Sequence, residues 1–452
     1  MRKKKFTPVE ITKLVNPDKV VSKHYQGNIE AITPITFNWY QNLPIKKLMQ
    51  QFGSPLFIVS LKVMQAQQQL FEKIFNFPGY RTIIAYSFKT NYLPAICQSF
   101  IDNGCWAEVV SEMEHTLAEK LQTPPGQIVF NGPYKTECAL VAAIKHGSLI
   151  HIDNFAELEA IEKIASTLEI KAKVGIRFNF AYQNHAWDKF GFGFCPVEIT
   201  QVLQKIKASQ HLVFKSIHNH CGTYMIEPKI YSVSLEYIYQ IAQIAQGIGL
   251  EPEFIDLGGG FPSSTILKAQ FNHGLLSEPP ELLAYADAMD EGLKALSQLM
   301  GKELTLILEP GRALIDEAVI LCCQVIATKK GQHGARIVIT DAGVNILPTS
   351  YWYQRKPIVV DEDSRQYCYQ KICGSLCMQI DVINDNVYLP ELTPFTHLIY
   401  PNVGAYNHTQ SMQFIHYRPA TIMVDEHNAT RVIRRKETFD NVFARDVFPE
   451  RA

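Results

Sequence analysis

A lysine, a run of glycines and a carboxylate each follow an apolar run of this sequence, and their types could do chemistry. Lys89 ends the run TIIAYSFK, Gly258, Gly259 and Gly260 follow EFIDL, and Glu309 follows LTLIL. A lysine amine can form a Schiff base with an aldehyde, and bare backbone N–H groups in a glycine turn can hold a phosphate. A carboxylate can keep a ring nitrogen protonated, because an opposite charge favours the charged form.

Each of these features alone also has an ordinary structural explanation. A lysine after a strand is commonly a solvated turn residue, and GGG is commonly a tight turn. His218 and His220, in IHNHCG, could pass for a metal pair. Because alternating residues of a strand face opposite sides, we expect only one of these histidines to enter the site, and we predict no metal. Taken together, the lysine, glycines and carboxylate meet the demands of pyridoxal phosphate.

Eight apolar runs predict the strands that must position these residues. The runs alternate with amphipathic, helix-length stretches between about residue 82 and about residue 308. This number, order and spacing are typical of a (β/α)8 barrel, an α/β fold, and a doubly wound sheet is the structural alternative. The runs are TIIAYS, WAEVV, QIVF, LIHI, KVGIRF, VFKSIHN, EFIDL and LTLIL.

The residues at the ends of these runs are polar, titratable or glycine, which predicts one shared site. In a barrel, the carboxyl ends of all strands meet on one face, where several loops build the active site. The residues that we place on this face are Lys89, Glu108, Ser111, Glu114, Asn131, Gly132, Asp153, Asn154, Arg177, His220, Gly258, Gly259, Gly260, Glu309, Pro310, Gly311 and Arg312.

A second domain follows the barrel in the sequence. After Arg312 the pattern changes to short strand-like runs separated by turn residues, such as ARIVITDAG and HLIYPNVGAY. This pattern predicts a mostly antiparallel β domain. We assign residues 55–311 to the barrel and 312–452 to the β domain. The N-terminal segment, residues 1–54, contains the apolar patch IEAITPITFNWY, which we expect to supply one strand to the β domain.

Composition argues against several classes of function. The formal net charge of the 452 residues is −1, and charges of both signs are interspersed, so neither nucleic-acid nor membrane-surface binding is supported. The basic start MRKKKF precedes TPVEITKLVN instead of the apolar stretch of a signal peptide, so we expect a cytoplasmic protein. The ten cysteines show no CxxC spacing, which argues against a zinc or redox site among them.

From about residue 53 to about residue 420, the sequence resembles the alanine-racemase-fold pyridoxal-phosphate decarboxylases, the family of diaminopimelate and ornithine decarboxylases. AYSFKTN resembles the motif of the cofactor lysine, which implies a Schiff base on Lys89. HNHCGT resembles the motif whose last histidine stacks on the cofactor ring, which implies that role for His220 and places Thr223 at the phosphate. DLGGGFP resembles the phosphate loop, and LEPGR resembles the motif whose glutamate, here Glu309, meets the pyridine nitrogen.

Three further stretches extend the resemblance. WDKFGFG resembles the family's lysine–phenylalanine–glycine stretch, and NVGAY resembles the motif that carries a tyrosine near the phosphate, here Tyr406. SLCMQID resembles the motif whose cysteine, here Cys377, reaches into the site of the partner subunit. The resemblance therefore implies a homodimer with shared sites. The predicted cofactor-binding residues are Lys89, Glu108, Arg177, His220, Thr223, Gly258, Gly259, Gly260, Glu309, Gly311, Arg312 and Tyr406.

The resemblance and the residue chemistry both favour decarboxylation of an amino acid or amino-acid conjugate. Glu309 would keep the ring nitrogen protonated, and a protonated ring accepts the electrons that departing carbon dioxide leaves behind. Racemases of this fold place an arginine there instead. Cys377 is the family's candidate proton donor to the α-carbon, so the predicted catalytic residues are Lys89, His220, Glu309 and Cys377. A racemase, a true diaminopimelate or diamino-acid decarboxylase and a non-catalytic relative remain alternatives.

Two departures from the family pattern concern the substrate. Diaminopimelate decarboxylases carry glutamate and ornithine decarboxylases carry aspartate directly after the cysteine, where this chain has Met378. The diaminopimelate branch has an arginine where this chain has Thr349. We therefore predict an amino-acid head with a larger or uncharged tail, such as an amide or citryl-type conjugate. The alternative is that Gln379, Asp381 or a residue outside the motif recognises an ordinary diamino acid. The predicted substrate-binding residues are Arg312, Tyr353, Met378 and Tyr406, beside the aromatic side chains of Tyr351 and Trp352.

Overall fold

The computed structural model describes residues 38–182, 185–271, 278–360 and 365–449. They form a closed barrel of eight parallel strands and a nine-stranded, mostly antiparallel sheet. This confirms the predicted α/β architecture, and closure of the barrel excludes the doubly wound alternative, whose sheet would be open. Most of the patch IEAITPITFNWY, residues 29–37, lies outside the described residues.

The strands are short and, in the barrel, mostly buried along their whole length. In chain order they are β1 (Leu56–Ser60), β2 (Tyr80–Ser87), β3 (Trp106–Val109), β4 (Ile128–Phe130), β5 (Leu149–Ile152), β6 (Ala172–Asn179), β7 (Ala181–Tyr182), β8 (His185–Ala186), β9 (Phe192–Gly193), β10 (Leu212–His218), β11 (Phe254–Asp256), β12 (Ile266–Leu267), β13 (Leu304–Leu308), β14 (Val319–Lys330), β15 (Arg336–Thr340), β16 (Tyr353–Gln354), β17 (Ile358–Val359), β18 (Tyr367–Cys373), β19 (Val382–Pro390), β20 (His397–Tyr400), β21 (Ala420–Val424) and β22 (Thr430–Arg434).

The helices lie mainly between the barrel strands. They are α1 (Ile45–Phe52), α2 (Leu61–Ile74), α3 (Pro94–Asp102), α4 (Glu112–Lys120), α5 (Glu137–His146), α6 (Phe155–Leu168), α7 (Pro196–Ala208), α8 (Lys229–Gly247), α9 (Leu282–Met300), α10 (Arg312–Ile315) and α11 (Phe439–Val442). Ser111, Thr136 and Asn154 cap the starts of α4, α5 and α6, each accepting a hydrogen bond from a backbone N–H of the first turn. Each such cap stabilises its helix by about 1 kcal/mol.

The barrel closes in the order β10-β11-β13-β2-β3-β4-β5-β6, with β6 paired to β10. All eight pairings are parallel. Its interior contains apolar side chains such as Ile83, Val129, Leu149 and Ile307. Because these strands are apolar on both faces, one face packs inside the barrel and the other against the helices. Their carboxyl ends therefore form a single rim.

The sheet domain is built by the chain after the barrel together with one strand from before it. β1 pairs antiparallel with β14 and parallel with β21. This strand begins at Leu56, just beyond the N-terminal segment from which we expected it. The hydrogen bonds that join the sheet domain to the barrel rim include those from Tyr406 N to Thr90 O (2.8 Å) and from Asn91 Nδ2 to Gly404 O (3.0 Å). The sheet domain thus lies beside the strand end that carries Lys89.

A search of the described residues for a helix long and apolar enough to cross a membrane found none.

Candidate active site

A cavity of about 510 Å³ opens at the carboxyl ends of the barrel strands. Its lining brings together side chains from seven of the eight strand exits and from the sheet domain. Among the predicted site residues, Lys89, Glu108, Arg177, His220, Thr223, Gly259, Gly260, Glu309, Gly311, Arg312, Tyr353 and Tyr406 line it. Gly258, Cys377 and Met378 do not.

Lys89 is held by a carboxylate at the floor of the cavity. The side chain follows β2 on a short 3-10 turn, and its Nζ donates to Glu108 Oε2 at 2.5 Å. Burial lowers the pKa of the amine, but Glu108 and Glu309 outweigh burial and raise that pKa above its ordinary value. Burial raises the pKa of Glu108, yet Lys89 and hydrogen bonds from Ser87 and Asn131 outweigh it and lower the pKa. Lys89 and Glu108 are therefore an ion pair in the free site.

Glu309 lies beside this ion pair, at the exit of β13. Its Oε1 accepts a hydrogen bond from Asn131 Nδ2 at 2.6 Å. Burial and the charge of Glu108 raise the pKa of Glu309 to about 7. A nearby cation favours the charged form of a carboxyl, so a protonated ring nitrogen bound here would make Glu309 fully ionised.

The glycine turn after β11 packs closely against neighbouring backbone. A Cβ on Gly259 would lie 2.3 Å from the carbonyl oxygen of Glu309, and a Cβ on Gly260 would lie 2.5 Å from that of Gly222. Gly260 also has φ +101°, in the region that favours glycine. Gly259 and Gly260 also line the cavity, where a turn without side chains suits a phosphate.

His220 and His218 both line the cavity, so the expectation that only one of them would enter was wrong. Residues two apart on an extended chain share a face, and it is Asn219, between them, that points away and donates to Phe178 O at 2.8 Å. Burial, Lys89 and Arg177 lower the pKa of His220 well below its ordinary value. Its ring is therefore neutral, which suits stacking on an aromatic cofactor.

Arg312 lies in a box of three tyrosine rings. Its guanidinium carbon is 4.5 Å from the ring centre of Tyr353, 5.1 Å from that of Tyr406 and 5.6 Å from that of Tyr224. Within the described part of the chain, Nε and Nη1 have no hydrogen-bond acceptor, and the nearest Asp316 oxygen is 3.8 Å from Nη1. These two buried nitrogens of Arg312 can thus donate to an acceptor on a bound molecule.

Four predicted rim residues stabilise the local structure instead of lining the cavity. Ser111 and Asn154 are helix caps. Glu114 accepts from Val110 N at 2.7 Å, and Asp153 accepts from Gly191 N at 2.9 Å. Short polar side chains after a strand serve equally well as caps of the next helix, so residue type alone does not separate the two uses.

Cys377 and Met378 lie in the loop after β18, away from the cavity of their own chain. Cys377 is exposed and Met378 is half-buried. Asp381, three residues after Met378, holds this loop by accepting from Leu376 N and Val344 N, each at 2.8 Å. Both of its oxygens are engaged, so Asp381 is a structural residue.

Sequence reasoning missed several residues of the site. Trp187 and Phe190 line the cavity, and the ring of Phe190 lies 4.7 Å from the Arg177 guanidinium carbon. Both belong to the stretch WDKFGFG, which was recognised without assigning them a role. The buried acid Asp256 and the buried His151 were also missed, although a charged residue within an apolar strand is a signal for a functional site.

The described residues fit pyridoxal phosphate. The cavity offers an amine for an aldehyde, a neutral imidazole for the ring, and a buried carboxyl for the ring nitrogen. A bare glycine turn and the two free donors of Arg312 serve a phosphate or another anionic group. These groups come from four strand exits, those of β2, β10, β11 and β13, the last of which supplies both Glu309 and Arg312.

Comparisons with known proteins agree with this fit. Residues 61–316 match the pyridoxal binding domain of the pyridoxal-dependent decarboxylases, and residues 231–404 match the C-terminal sheet domain of the same family. A diaminopimelate decarboxylase of Helicobacter pylori is 29% identical over 415 residues, covering 89% of this chain and 98% of that protein. A diaminopimelate decarboxylase of Aquifex aeolicus is 26% identical and covers 89% of this chain and 94% of that protein.

Solved structures show the same fold. The crystal structure of the Helicobacter pylori diaminopimelate decarboxylase complexed with L-lysine aligns with a TM-score of 0.77 and 26% identity, covering 88% of this chain and 98% of that one. A viral arginine decarboxylase, from Paramecium bursaria Chlorella virus, aligns with a TM-score of 0.71 at 20% identity, over 84% of this chain and 99% of that one, a likeness of fold alone.

Proposed function

The chain belongs to the pyridoxal-dependent decarboxylases and is a pyridoxal-phosphate-dependent amino-acid decarboxylase, and from that premise we propose a substrate with an amino-acid head and a large or uncharged tail. The observation that carries this proposal is the distribution of charge in the cavity. Its two carboxylates within the described chain, Glu108 and Glu309, are both at the floor and both bound by Asn131.

The residues of this chain divide the chemistry among them. Pyridoxal phosphate, when bound, supplies the sink for the electrons left by carbon dioxide. Lys89 presents the amine, and Glu108, at 2.5 Å, is the group placed to take its proton. Glu309 holds the charge that a ring nitrogen needs, and His220 offers a neutral face. The aromatic side chains that line the cavity, among them Trp187, Phe190 and Tyr353, lower its polarity, which strengthens each of these electrostatic contacts.

The remaining wall of the cavity does not suit a second ammonium group. It contains Arg312, Thr349, Trp352 and Tyr353. A buried ammonium without an acidic partner costs several kcal/mol, and the guanidinium of Arg312 adds repulsion. A carboxylate, amide or hydroxyl oxygen on the tail would instead accept from the free donors of Arg312.

The diamino-acid alternative requires an acid elsewhere to read the distal amine. Asp381 was one candidate, but its two oxygens accept from backbone N–H groups of its own chain. Gln379 is exposed and carries no charge. These contacts support the proposal over the alternative.

The test is a panel of substrates on the purified holoenzyme, with carbon dioxide release as the measurement. We expect meso-diaminopimelate, ornithine, lysine and arginine to react slowly and one or more amide or citryl-type conjugates to react well. A kcat/KM above about 10⁴ M⁻¹s⁻¹, an ordinary figure for a natural substrate, with any of those four amino acids would refute the proposal.

A pair of variants at Met378 makes the panel sharper. Met378→Glu adds the acid that diaminopimelate decarboxylases carry, so we expect kcat/KM for meso-diaminopimelate to rise by about tenfold or more, the scale of one added charged contact. Met378→Gln is the matched control, because it has the same length without the charge. Equal effects of the two substitutions would show that charge at this position does not select the substrate.

We further infer a homodimer in which Cys377 serves as proton donor to the site of the partner subunit. The exposure of Cys377 and its absence from the cavity of its own chain support this arrangement. We also infer a cytoplasmic location, which the ten free cysteines support, because a reducing compartment keeps thiols free.

A further inference from the structure

A second buried carboxyl group lies directly behind Glu309. Asp256 ends β11, which is hydrogen-bonded to β13, and neither acid is exposed by more than 3%. A carboxyl oxygen of Asp256 lies within 4.8 Å of a carboxyl oxygen of Glu309. Oδ1 of Asp256 also accepts from Gly258 N at 2.8 Å, whereas no donor of the described chain reaches Oδ2.

The hydrogen bonds around the pair have only one consistent direction. Asn131 Nδ2 donates to Glu108 Oε1 at 3.1 Å and to Glu309 Oε1 at 2.6 Å, which uses both amide hydrogens. Asn131 Oδ1 therefore accepts, and its partner at 2.7 Å, His151 Nδ1, carries the hydrogen. His151 Nε2 accepts from the hydroxyl of Ser216 at 2.8 Å.

His151 consequently has no hydrogen left for Asp256. Burial, Lys135 and Arg177 lower its pKa well below the ordinary value, so the ring stays neutral in this tautomer. His218, stacked on His151 at 4.4 Å, is neutral for the same reasons of burial and nearby positive charge. Neither histidine offers Asp256 a positive charge.

Two cations and one anion face the pair, and the anion, Glu108, disfavours ionisation of both acids. They are Lys89 after β2, Glu108 on β3 and Arg177 on β6. Burial and the charge of Glu309 raise the pKa of Asp256 well above its ordinary value. The pKa of Glu309 rises less, to about 7, because Lys89 and the hydrogen bonds from Asp256 and Asn131 favour its charged form. Two adjacent buried carboxylates cannot both be ionised.

We propose that Asp256 is a protonated positioning residue, whose carboxyl group donates a hydrogen bond to Glu309 and holds Glu309 as the ionised, oriented member of the pair. This proposal rests on the assignment of Glu309 to the ring nitrogen. The chain Ser216–His151–Asn131 holds the other side of Glu309 and links it to the Glu108 carboxylate that pairs with Lys89. The two charges of the site, one for each end of the cofactor ring system, are thus fixed by one buried network.

His151, His218, Asp256 and Glu309 each place one nitrogen or carboxyl oxygen within 4.8 Å of the others, which is also the spacing of a metal site. A metal would require His151 to give up its hydrogen bond to Asn131 or to Ser216. The proton is the better occupant, because it leaves every hydrogen bond of the network intact.

The first test is infrared spectroscopy of the holoenzyme at pH 8. We expect the carbonyl band of a protonated, buried carboxyl group in the wild type and its loss in Asp256→Asn. Asp316→Asn is the matched control, because Asp316 is equally buried but accepts from Ser263, Thr265 and Ala405 N. A band that persists in Asp256→Asn, or a stoichiometric metal ion in the purified enzyme, would overturn the proposal.

The second test compares two substitutions of Asp256 in the pH dependence of the holoenzyme's cofactor absorbance. Asparagine keeps a donor for Glu309 and an acceptor for Gly258 N, so Asp256→Asn should preserve the wild-type titration. Asp256→Ala removes the donor to Glu309. The pH midpoint of the cofactor absorbance in this variant should therefore shift upwards by about one pH unit, the scale of one lost hydrogen bond to a charged group. A shift in Asp256→Asn as large as that in Asp256→Ala would show that the wild-type residue is an anion. Both readouts are independent of the substrate, so an error in the proposed substrate would leave them unchanged.

Discussion

At the scale of single residues, the site depends on which groups carry charge before the cofactor binds. Lys89 is balanced by Glu108 at 2.5 Å, so the buried amine keeps its proton without a large cost of burial. The same carboxylate is within reach of that proton when the amine reacts. Lys135 is also buried and paired, with Glu157 at 2.9 Å, but it does not line the cavity, and Lys189, in the recognised stretch WDKFGFG, is exposed.

The first prediction assigns the cofactor to Lys89. Borohydride reduction of the holoenzyme should leave a pyridoxyl group on the peptide that contains Lys89, because Lys89 is the lysine that lines the cavity in the described chain. Peptide mapping by mass spectrometry measures the position. A pyridoxyl group on Lys189 instead would contradict the assignment.

The second prediction concerns two separate effects of Glu309, on the stability of the apoenzyme and on the rate of the reaction. In the folded chain the pKa of Glu309 is about 7 against an ordinary value of 4.5, so the folded state binds this proton more tightly. The stabilisation that this raised pKa gives the folded state is complete below about pH 4.5 and is lost as the pH rises through about 7. Glu309→Gln should therefore make the apoenzyme more stable than the wild type at pH 8 by up to about 3 kcal/mol, with little difference at pH 4.5.

The same substitution should damage catalysis. Loss of a preorganised charge slows the chemical step by about 10²-fold or more. Denaturant unfolding of both apoenzymes at the two pH values, beside single-turnover rates of the holoenzymes, measures the two effects. Unchanged turnover in Glu309→Gln would remove Glu309 from the mechanism.

At the scale of elements, the strand ends meet at the barrel rim, where the backbones of neighbouring exits pack closely and form one site. The third prediction concerns Gly259, where an added Cβ would meet the Glu309 carbonyl oxygen at 2.3 Å. Gly259→Ala must separate the exits of β11 and β13, so we expect cofactor binding to weaken by about tenfold or more, which is about 1.4 kcal/mol. Gly247→Ala, at the end of α8 with no heavy atom near its Cβ, is the control and should bind normally. Equal dissociation constants for the two variants, from absorbance titration, would contradict this role.

Much of this element structure could be predicted, because buried parallel strands are apolar on both faces and need no partner to be recognised. All eight predicted barrel runs contain strands at those positions. The pairing of β1 with β14 and β21 could not be predicted, because strand pairing between distant segments leaves no local periodicity. The network through Asn131 was equally hidden, since barrel closure is what brings β3, β4, β5 and β13 together.

At the scale of the whole molecule, the sheet domain adds side chains to the site that the barrel does not supply. It contributes Tyr353 and Tyr406 to the box around Arg312 and the wall residues Thr349 and Trp352. We therefore expect substrate selection to depend on the sheet domain and the cofactor contacts to come mainly from barrel strand ends. The loop of Cys377 belongs to the same domain but does not line the cavity of its own chain, which supports the proposal that a second chain completes the site.

The last prediction tests this shared site by complementation. Lys89→Ala and Cys377→Ala should each be nearly inactive, because one lacks the amine and the other the proton donor. In a mixture of the two after subunit exchange, half of the dimers carry one chain of each kind, and one of their two sites is intact. Activity should then recover to about a quarter of the wild-type value, as expected for random two-fold dimers. Native mass spectrometry verifies that mixed dimers form. If they form without activity, Lys89 and Cys377 act within one chain, whereas an active Cys377→Ala homodimer would remove Cys377 from the reaction.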